Sequence, residues 1–146
     1  MSRKFVSLIM IFLMALALYG CGANESTTQV VVSESEFYYT KEDVALYLHT
    51  FNRLPDNYIT KSEADDLGWK SSEGNLWEVA EGMVIGGDRF GNREGLLPES
   101  DGRVYYECDV AYEGGYRGAE RLVYSNDGLI YYTSDHYESF TLLYGE

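Results

Sequence analysis

One segment, residues 104–112, constrains the fold more than any other part of the chain, because apolar and charged side chains alternate along it. Val104, Cys108 and Val110 fall on one side of the alternation, whereas Glu107 and Asp109 fall on the other. Successive side chains of a β-strand point to opposite faces of its sheet, so this period of two predicts a strand with an apolar face and a charged face. Such a strand needs partner strands and a cover for its apolar face.

The rest of the C-terminal half supplies partners for this strand. Residues 120–124 and 128–132 are short apolar segments joined by Ser125-Asn126-Asp127-Gly128, a sequence typical of a hairpin turn. A further strand, residues 139–143, follows a turn at residues 134–137. Together these segments predict an antiparallel sheet.

The N-terminal half predicts helices instead. Three residues that can cap a helix are each followed three positions later by an acid, as in a capping box. Gly68 and Gly82 stand where the second and third helices would end. This order predicts the α+β class, with N-terminal helices packed on one face of a C-terminal antiparallel β-sheet. The three pairs are Thr40 with Asp43, Thr60 with Glu63, and Asn75 with Glu78.

Residues 1–20 have the composition of an export signal. A short basic start precedes 15 residues, 5–19, of which only Ser7 is polar. A membrane-spanning helix needs roughly 20 apolar residues, so we expect a signal peptide rather than a retained membrane anchor. Leu18-Tyr19-Gly20-Cys21 resembles the lipobox of bacterial lipoproteins, with Tyr19 as a departure from it. The expected location is therefore extracytoplasmic, either membrane-anchored through lipid on Cys21 or secreted.

Residues 21–36 are rich in Ser, Thr, Glu and Asn, which predicts a flexible tether, and residues 37–146 would form one domain. About 110 residues are enough for a single core but not for two. With Cys21 lipidated, Cys108 has no partner for a disulfide within the chain, and its place on the apolar strand face predicts a small buried hydrophobic residue. We expect a monomer.

Five segments resemble, in order, the barnase family of guanyl-specific microbial ribonucleases. The resemblance runs without a gap from about Phe37 to the C-terminus, so it is far more specific than a short motif. It implies the microbial ribonuclease fold and a metal-independent endoribonuclease that cleaves RNA after guanosine through a 2′,3′-cyclic phosphate. The segments are residues 54–64 (LPDNYITKSEA), 67–69 (LGW), 85–88 (IGGD), 92–95 (NREG) and 135–137 (DHY).

The resemblance assigns the chemistry to five side chains. RNA cleavage by this route needs a base for the 2′-hydroxyl proton and an acid for the departing 5′-oxygen. Glu107 would be the base and His136 the acid, and Lys61, Arg117 and Arg121 would stabilise the phosphorane. Lys61 would also lie in the first turn of the second helix, where free amides favour a phosphate. No metal or other cofactor is implied.

A second group of residues would bind the substrate. The carboxylate of Glu94 and nearby loop amides could meet the donors and the acceptor of guanine, while Asn92 would hold the loop's shape. Tyr137 would offer a stacking surface for a base. Asp88 would have a structural role beside the site. The segment that matches the family's guanine-binding loop is Phe90-Gly91-Asn92-Arg93-Glu94.

The charge of this chain departs from barnase, which is mildly basic. The formal net charge is −13, and loss of residues 1–20 would leave nine basic and 24 acidic residues, a net charge of −15. RNA should therefore be repelled at long range, and a small acidic barstar-like inhibitor would be attracted less strongly. We nevertheless expect a positive cleft, because five cations fall in or beside it. They are Lys61, Arg93, Arg103, Arg117 and Arg121.

Two other functions fit some of the residues. A surface-tethered binding module with this fold and little turnover would agree with an acidity that excludes RNA. A glycosidase using Glu107 and Asp109 is disfavoured, because neighbouring carboxylates on one strand face do not lie across a sugar. The ribonuclease is preferred, since a decayed site would be expected to have lost at least one of its five catalytic side chains.

Overall fold

The computed structural model describes residues 29–146. In this part of the chain, three helices and six strands follow one another, and the strands form a single sheet in the order β1-β2-β3-β4-β5-β6. The predicted α+β class is confirmed. The elements are α1 (Lys41–Phe51), β1 (Tyr58–Ile59), α2 (Lys61–Asp66), α3 (Leu76–Val79), β2 (Val84–Phe90), β3 (Tyr105–Asp109), β4 (Arg121–Ser125), β5 (Ile130–Thr133) and β6 (Thr141–Tyr144).

The pairing of β3 to β6 is antiparallel, as the alternating segments predicted. β2 extends this sheet by pairing antiparallel with β3, and β1 is parallel to β2, with Tyr58 opposite Val84. Neither β1 nor β2 was predicted. β1 has only two residues, and β2 contains two consecutive glycines, so neither sequence shows a period of two.

Two of the three predicted helix caps are confirmed. The Thr40 hydroxyl accepts the amide of Asp43 at 3.1 Å, at the start of α1. At α2 the capping box is complete, since the Thr60 hydroxyl accepts the amide of Glu63 at 3.3 Å and the Glu63 carboxylate accepts the amide of Thr60 at 2.7 Å. These bonds satisfy amides that a first helical turn leaves without partners.

The predicted cap at Asn75 is wrong, because this side chain makes no hydrogen bond to α3. Its Oδ1 accepts the amide of Lys70 at 2.7 Å, and its Nδ2 donates to the carbonyl of Gly68 at 3.1 Å. An amide side chain both donates and accepts, so the loop behind α3 can use it more fully than a four-residue helix. Gly68 has the left-handed conformation expected after α2, with a φ of 97°.

Three hydrophobic clusters pack on the sheet, and two of them lie on opposite faces of β3. α1 packs Val44 and Leu48 against one face, where Cys108 is buried as predicted. The opposite face carries Tyr105, which packs with Leu97, Val123 and Leu129. Because side chains alternate along a strand, Glu107 and Asp109 share the face of Tyr105, away from α1.

The segment just before α1 also contacts the domain. Val32 is buried, the Tyr47 hydroxyl donates to the carbonyl of Glu34 at 3.1 Å, and the amide of Ser33 donates to the Tyr38 hydroxyl at 2.7 Å. These contacts favour a domain start a few residues before residue 37. The predicted signal peptide, the cysteine proposed for lipidation and the first part of the tether lie outside the described residues. Within residues 29–146, no helix combines the length and the apolar character needed to cross a bilayer.

Candidate active site

The carboxylate of Glu107 lies at the centre of a hydrogen-bonded group on the face of β3 away from α1. Glu107 is 8% exposed. Lys61 Nζ donates to its Oε1 at 2.8 Å, and the Tyr137 hydroxyl donates to its Oε2. Burial raises the pKa of Glu107, but the hydrogen bonds from Lys61 and Tyr137 outweigh it, so the pKa lies below its usual value. Both donors thus favour the ionised carboxylate.

Lys61 is positioned by Asp88 as well as by its place at the start of α2. The amide of Lys61 donates to Asp88 Oδ2 at 3.0 Å, while its side chain reaches Glu107. A bulge in β2 brings Asp88 opposite Glu107 in the pairing with β3. Gly87 forms this bulge with a φ of 97°, a conformation that glycine adopts at little cost.

The expectation that the first turn of α2 offers free amides to a phosphate is wrong for three of them. Thr60 and Glu63 cap each other, and the amide of Lys61 already has Asp88 as its acceptor. Carboxylates therefore occupy the positive end of this helix. The side-chain ammonium of Lys61, rather than the helix terminus, is the group that could attract a phosphate.

Two arginines share a buried carboxylate further along the same face of β3. Asp109 is 2% exposed and accepts two hydrogen bonds from Arg117, from Nε at 2.7 Å and from Nη2 at 2.7 Å. Arg121 is 3% exposed, and its Nε lies 2.9 Å from Asp109 Oδ1. This Nε makes no well-aligned hydrogen bond with the described residues, so the contact is an ion contact only. Arg121 Nη1 donates to the carbonyls of Gly118 at 2.8 Å and Glu120 at 2.9 Å.

The role of Asp109 was not predicted, although the sequence carries a signal for it. Asp109 follows Glu107 by two positions on the charged face of a strand, and Arg117 and Arg121 follow closely along the chain. A buried cation needs a counter-charge, and Asp109 is the acid in reach. Because both of its oxygens face arginines, Asp109 is not available as the second carboxylate of a glycosidase.

The loop between β5 and β6 holds His136 and Tyr137 in an uncommon backbone conformation. Their φ angles are 54° and 75°, in the left-handed region that non-glycine residues seldom adopt. The Thr133 hydroxyl accepts the amide of Tyr137 at 3.1 Å, and Asp135 accepts the Thr133 hydroxyl at 2.8 Å. Hydrogen bonds from Ser139, together with that from Thr133, lower the pKa of Asp135 to about 2. Sequence analysis missed this use of Asp135 and Thr133.

His136 lies on the outside of this loop and is exposed. Its ring centroid is 4.7 Å from that of Tyr137, whose hydroxyl bonds to Glu107. The amide of His136 donates to the carbonyl of Ala119 at 3.3 Å, which ties the loop to the segment that carries Arg117 and Arg121. Tyr137 thus contacts both His136 and Glu107, and the His136 side chain is exposed.

The predicted guanine-binding loop is closed by Asn92. Asn92 Nδ2 donates to the carbonyl of Leu97 at 2.9 Å, and its Oδ1 accepts the amide of Leu97 at 3.1 Å. Asn92 is buried with a φ of 47°, whereas Arg93 and Glu94 are exposed on the loop. The loop therefore has a fixed shape and presents its charged side chains outward.

Phe90, at the start of this loop, packs on Tyr137, the residue that bonds to the Glu107 carboxylate. The rings of Phe90 and Tyr137 are stacked, with centroids 5.2 Å apart and planes 28° apart. Tyr137 therefore contacts both Phe90 and Glu107. A stacking role for Tyr137 toward a substrate base stays a prediction.

Arg103 is the one predicted cleft cation that is engaged elsewhere. Its Nε donates to Asp127 at 3.0 Å and 2.8 Å, and its Nη1 donates to the carbonyl of Pro98 at 2.9 Å. Asp127 belongs to the turn between β4 and β5. Arg103 thus stabilises this turn, and its charge is paired with Asp127 and not available to the site.

A family model described as ribonuclease matches residues 41–144. The chain is similar to a ribonuclease of Bacillus intermedius, with 60% identity over 102 residues, which are 70% of this chain and 63% of that protein. It is also similar to a ribonuclease of Heyndrickxia coagulans, with 59% identity over 101 residues, 69% of this chain and 93% of that protein. A shorter match joins it to guanyl-specific ribonuclease St of Saccharopolyspora erythraea, with 47% identity over 57 residues, 38% of this chain and 56% of that protein. The chain spans 63% of the length of the Bacillus relative.

Proposed function

Because the chain belongs to the ribonuclease family, we propose that it is an endoribonuclease that cleaves RNA on the 3′ side of guanosine, with Glu107 as general base and His136 as general acid. The O2′ of the substrate attacks phosphorus and loses its proton to Glu107. The P–O5′ bond breaks, and His136 gives a proton to the departing O5′. The products are a 2′,3′-cyclic phosphate and a free 5′-hydroxyl.

The surroundings of Glu107 carry this proposal. A general base must be deprotonated before it can act, and the donors that lower the pKa of Glu107 keep it ionised near neutral pH. Each carboxylate oxygen has two lone pairs, so Glu107 can accept a substrate hydroxyl while Lys61 and Tyr137 remain bonded. The cations near Glu107 can then stabilise the phosphate of the same bound substrate.

The cations beside Glu107 are suited to a phosphorane. Arg117 and Arg121 are held by Asp109, and Lys61 by α2, so they need little reorganisation when negative charge develops. Asp109 cancels one of these charges. Asp109 holds the two arginines in place. This is consistent with electrostatic catalysis, because fixed dipoles and charges stabilise a transition state more than mobile ones do.

The preference for guanosine is supported by the closed loop of Asn92 and by the exposed carboxylate of Glu94. A carboxylate can accept the N1 and N2 donors of guanine together, while backbone amides meet its O6. The name of guanyl-specific ribonuclease St, one of the relatives, agrees with this preference.

The site of action that we propose is outside the cytoplasm. The apolar residues 5–19 support a signal peptide, and Cys21 supports a lipid anchor. Detergent partitioning of the wild type and Cys21→Ala tests the anchor, which is refuted if both proteins partition alike.

We also expect a barstar-like acidic inhibitor to bind this chain more slowly than it binds a basic relative, because net charge steers association.

The reaction is tested with residues 22–146 and dinucleotides that carry guanosine or adenosine on the 5′ side, in the presence of a chelator. We expect cleavage after guanosine in the wild type and a loss of at least about 100-fold in Glu107→Ala and His136→Ala. His49→Ala and Glu78→Ala are matched controls at exposed helix positions and should keep wild-type rates. Cleavage that persists in both site variants would refute the assignment, and a wild type that binds RNA without cleaving it would favour the binding module.

A further inference from the structure

We infer that a cleft between the C-terminal end of α1 and the sheet is a second nucleotide site, which binds adenine nucleotides. The cleft lies on the face of β3 opposite to Glu107, so this site goes beyond the proposed reaction and does not depend on it. The volume of the cleft is about 260 Å³. Pockets for drug-sized ligands commonly have about 300–1,000 Å³, so this cleft has room for a single ring system.

Aromatic side chains line the cleft from both the sheet and the helix. Tyr106 on β3 is paired with Tyr124 on β4, and their rings stack with centroids 5.8 Å apart and planes 29° apart. His49, in the last turn of α1, lines the cleft from the helix, and its ring stacks on that of Tyr144 with centroids 4.4 Å apart. Bases of nucleic acids bind to such aromatic faces, because every base has a π face.

The side chain of Asn52 is placed to bind the edge of a base. Asn52 ends α1 with a φ of 54°, and its backbone amide donates to the carbonyl of Leu48 at 2.9 Å. Its side-chain amide lines the cleft and makes no hydrogen bond with the described residues. An Asn side chain can donate to N7 of adenine and accept from its N6 amino group at the same time. Guanine has the acceptor O6 in place of this amino group, so Asn52 favours adenine.

A cation lies beside the aromatic side chains of the sheet. Arg89 on β2 is directly opposite Tyr106 in the antiparallel pairing, so both side chains lie on the face of α1. Neighbouring strands are about 4.8 Å apart, which sets Arg89 one strand beyond Tyr106. Arg89 is exposed and forms no ion pair with the described residues. Its guanidinium can therefore bind the phosphate of a nucleotide whose base occupies the cleft.

The site is tested by titrating the isotope-labelled protein with adenosine 5′-monophosphate and following its amide NMR signals. We expect shifts in residues 48–52 and 124–130, which are separate from the signals around Glu107. Guanosine 5′-monophosphate should bind the cleft about 10-fold more weakly, because it lacks the N6 amino group. Adenosine should bind about 3-fold more weakly, because it lacks the phosphate.

Three variants assign these differences to their residues. Asn52→Gly keeps the left-handed backbone without the amide, so the two monophosphates should bind it equally. Arg89→Gln should bind adenosine 5′-monophosphate only as tightly as adenosine. Tyr106→Ala should weaken all three ligands about 10-fold through the loss of stacking. Lys70→Gln and Phe37→Ala are matched controls, an exposed cation and an exposed aromatic residue outside the cleft, and should bind as the wild type does.

Several results would overturn the site. One is the absence of shifts in residues 48–52 and 124–130 at millimolar adenosine 5′-monophosphate. Shifts confined to the signals around Glu107 would place the nucleotide in the active site instead. Equal affinity of the wild type for the two monophosphates, or wild-type affinity in both Asn52→Gly and Arg89→Gln, would also refute it. Cleavage of guanylyl dinucleotides is a separate measurement on the other face, so its failure would refute the proposed function alone.

Discussion

The two acidic side chains at the centre of the site each have two neighbouring side chains that donate to them or carry a positive charge. Glu107 has Lys61 and Tyr137 as donors, and Asp109 has Arg117 and Arg121. Burying a carboxylate without such partners would cost far more free energy than leaving it at the surface. At the residue scale, therefore, both the ionisation of Glu107 and the placement of the arginines depend on a few specific contacts.

Removal of the Tyr137 hydroxyl tests its influence on Glu107. Tyr137→Phe deletes a hydrogen bond that lowers the pKa of Glu107, so this pKa should rise. A general base acts only when deprotonated, and the acidic limb of the kcat/KM profile should therefore move to higher pH. The measurement is a pH–rate profile with a guanylyl dinucleotide. Tyr131→Phe, on β5, is the control and should leave the limb in place, whereas an unmoved limb in Tyr137→Phe would contradict the prediction.

Asp109→Asn tests the buried ion contacts. Removal of one partner leaves Arg121 buried without its counter-charge, so we expect the free energy of unfolding to fall by about 3–5 kcal/mol. Asp127→Asn removes the exposed partner of Arg103 and should lower the free energy of unfolding much less. Denaturant unfolding measures both. Equal costs for the two variants would mean that the buried contact does not contribute as described.

At the element scale, the pairing of β2 with β3 positions the site. The bulge at Gly87 sets Asp88 opposite Glu107, and the parallel strand β1 leads directly into α2 and Lys61. Gly86, just before the bulge, lies where β1, β2 and β3 pack closely. The arrangement of these three strands therefore fixes the distance between α2 and the strand that carries Glu107.

Gly86→Ala should disturb this packing. A Cβ at residue 86 would lie 2.5 Å from Cys108 Cβ and 2.6 Å from Tyr58 Cδ1, closer than side-chain atoms approach. Such overpacking typically costs about 1–3 kcal/mol of stability. Gly118→Ala is the control, because an added Cβ there meets no atom within 4 Å. A thermal-unfolding midpoint in Gly86→Ala that equals the one in Gly118→Ala would refute the steric argument.

At the scale of the whole molecule, acidic charge dominates. Seven basic side chains form ion pairs within residues 29–146, while Arg89 and Arg93 form none with the described residues. Local neutralisation at Glu107 and Asp109 leaves the predicted positive cleft weaker than a count of its cations suggests. RNA should therefore reach the site with little long-range attraction.

The dependence of activity on salt tests this balance. Salt weakens a protein's attraction for polyphosphates in proportion to the phosphates that its cations neutralise. We expect kcat/KM on long RNA to fall less with added NaCl than it does for a basic member of the family. A guanylyl dinucleotide serves as the control, since it makes few phosphate contacts. If kcat/KM on long RNA falls as steeply as it does for the basic member, or more steeply, the prediction that the acidic charge weakens attraction for RNA is contradicted.

The part of this architecture that could be predicted depends on residues close together in sequence. Alternation along β3 placed Glu107 and Asp109 on one face, and the caps at Thr40 and Thr60 marked two helices. The order of five short segments identified the family. Such signals are legible because capping and alternation are decided within a few residues of chain.

Tertiary structure alone decided the contacts between distant segments. The parallel pairing of β1 with β2 and the hydrogen bond from Tyr137 to Glu107 have no local pattern. Each polar group in these contacts had several possible partners along the chain. Which partner it obtained was decided by the packing of the sheet, because a buried donor or acceptor must be satisfied by whatever the fold brings within reach.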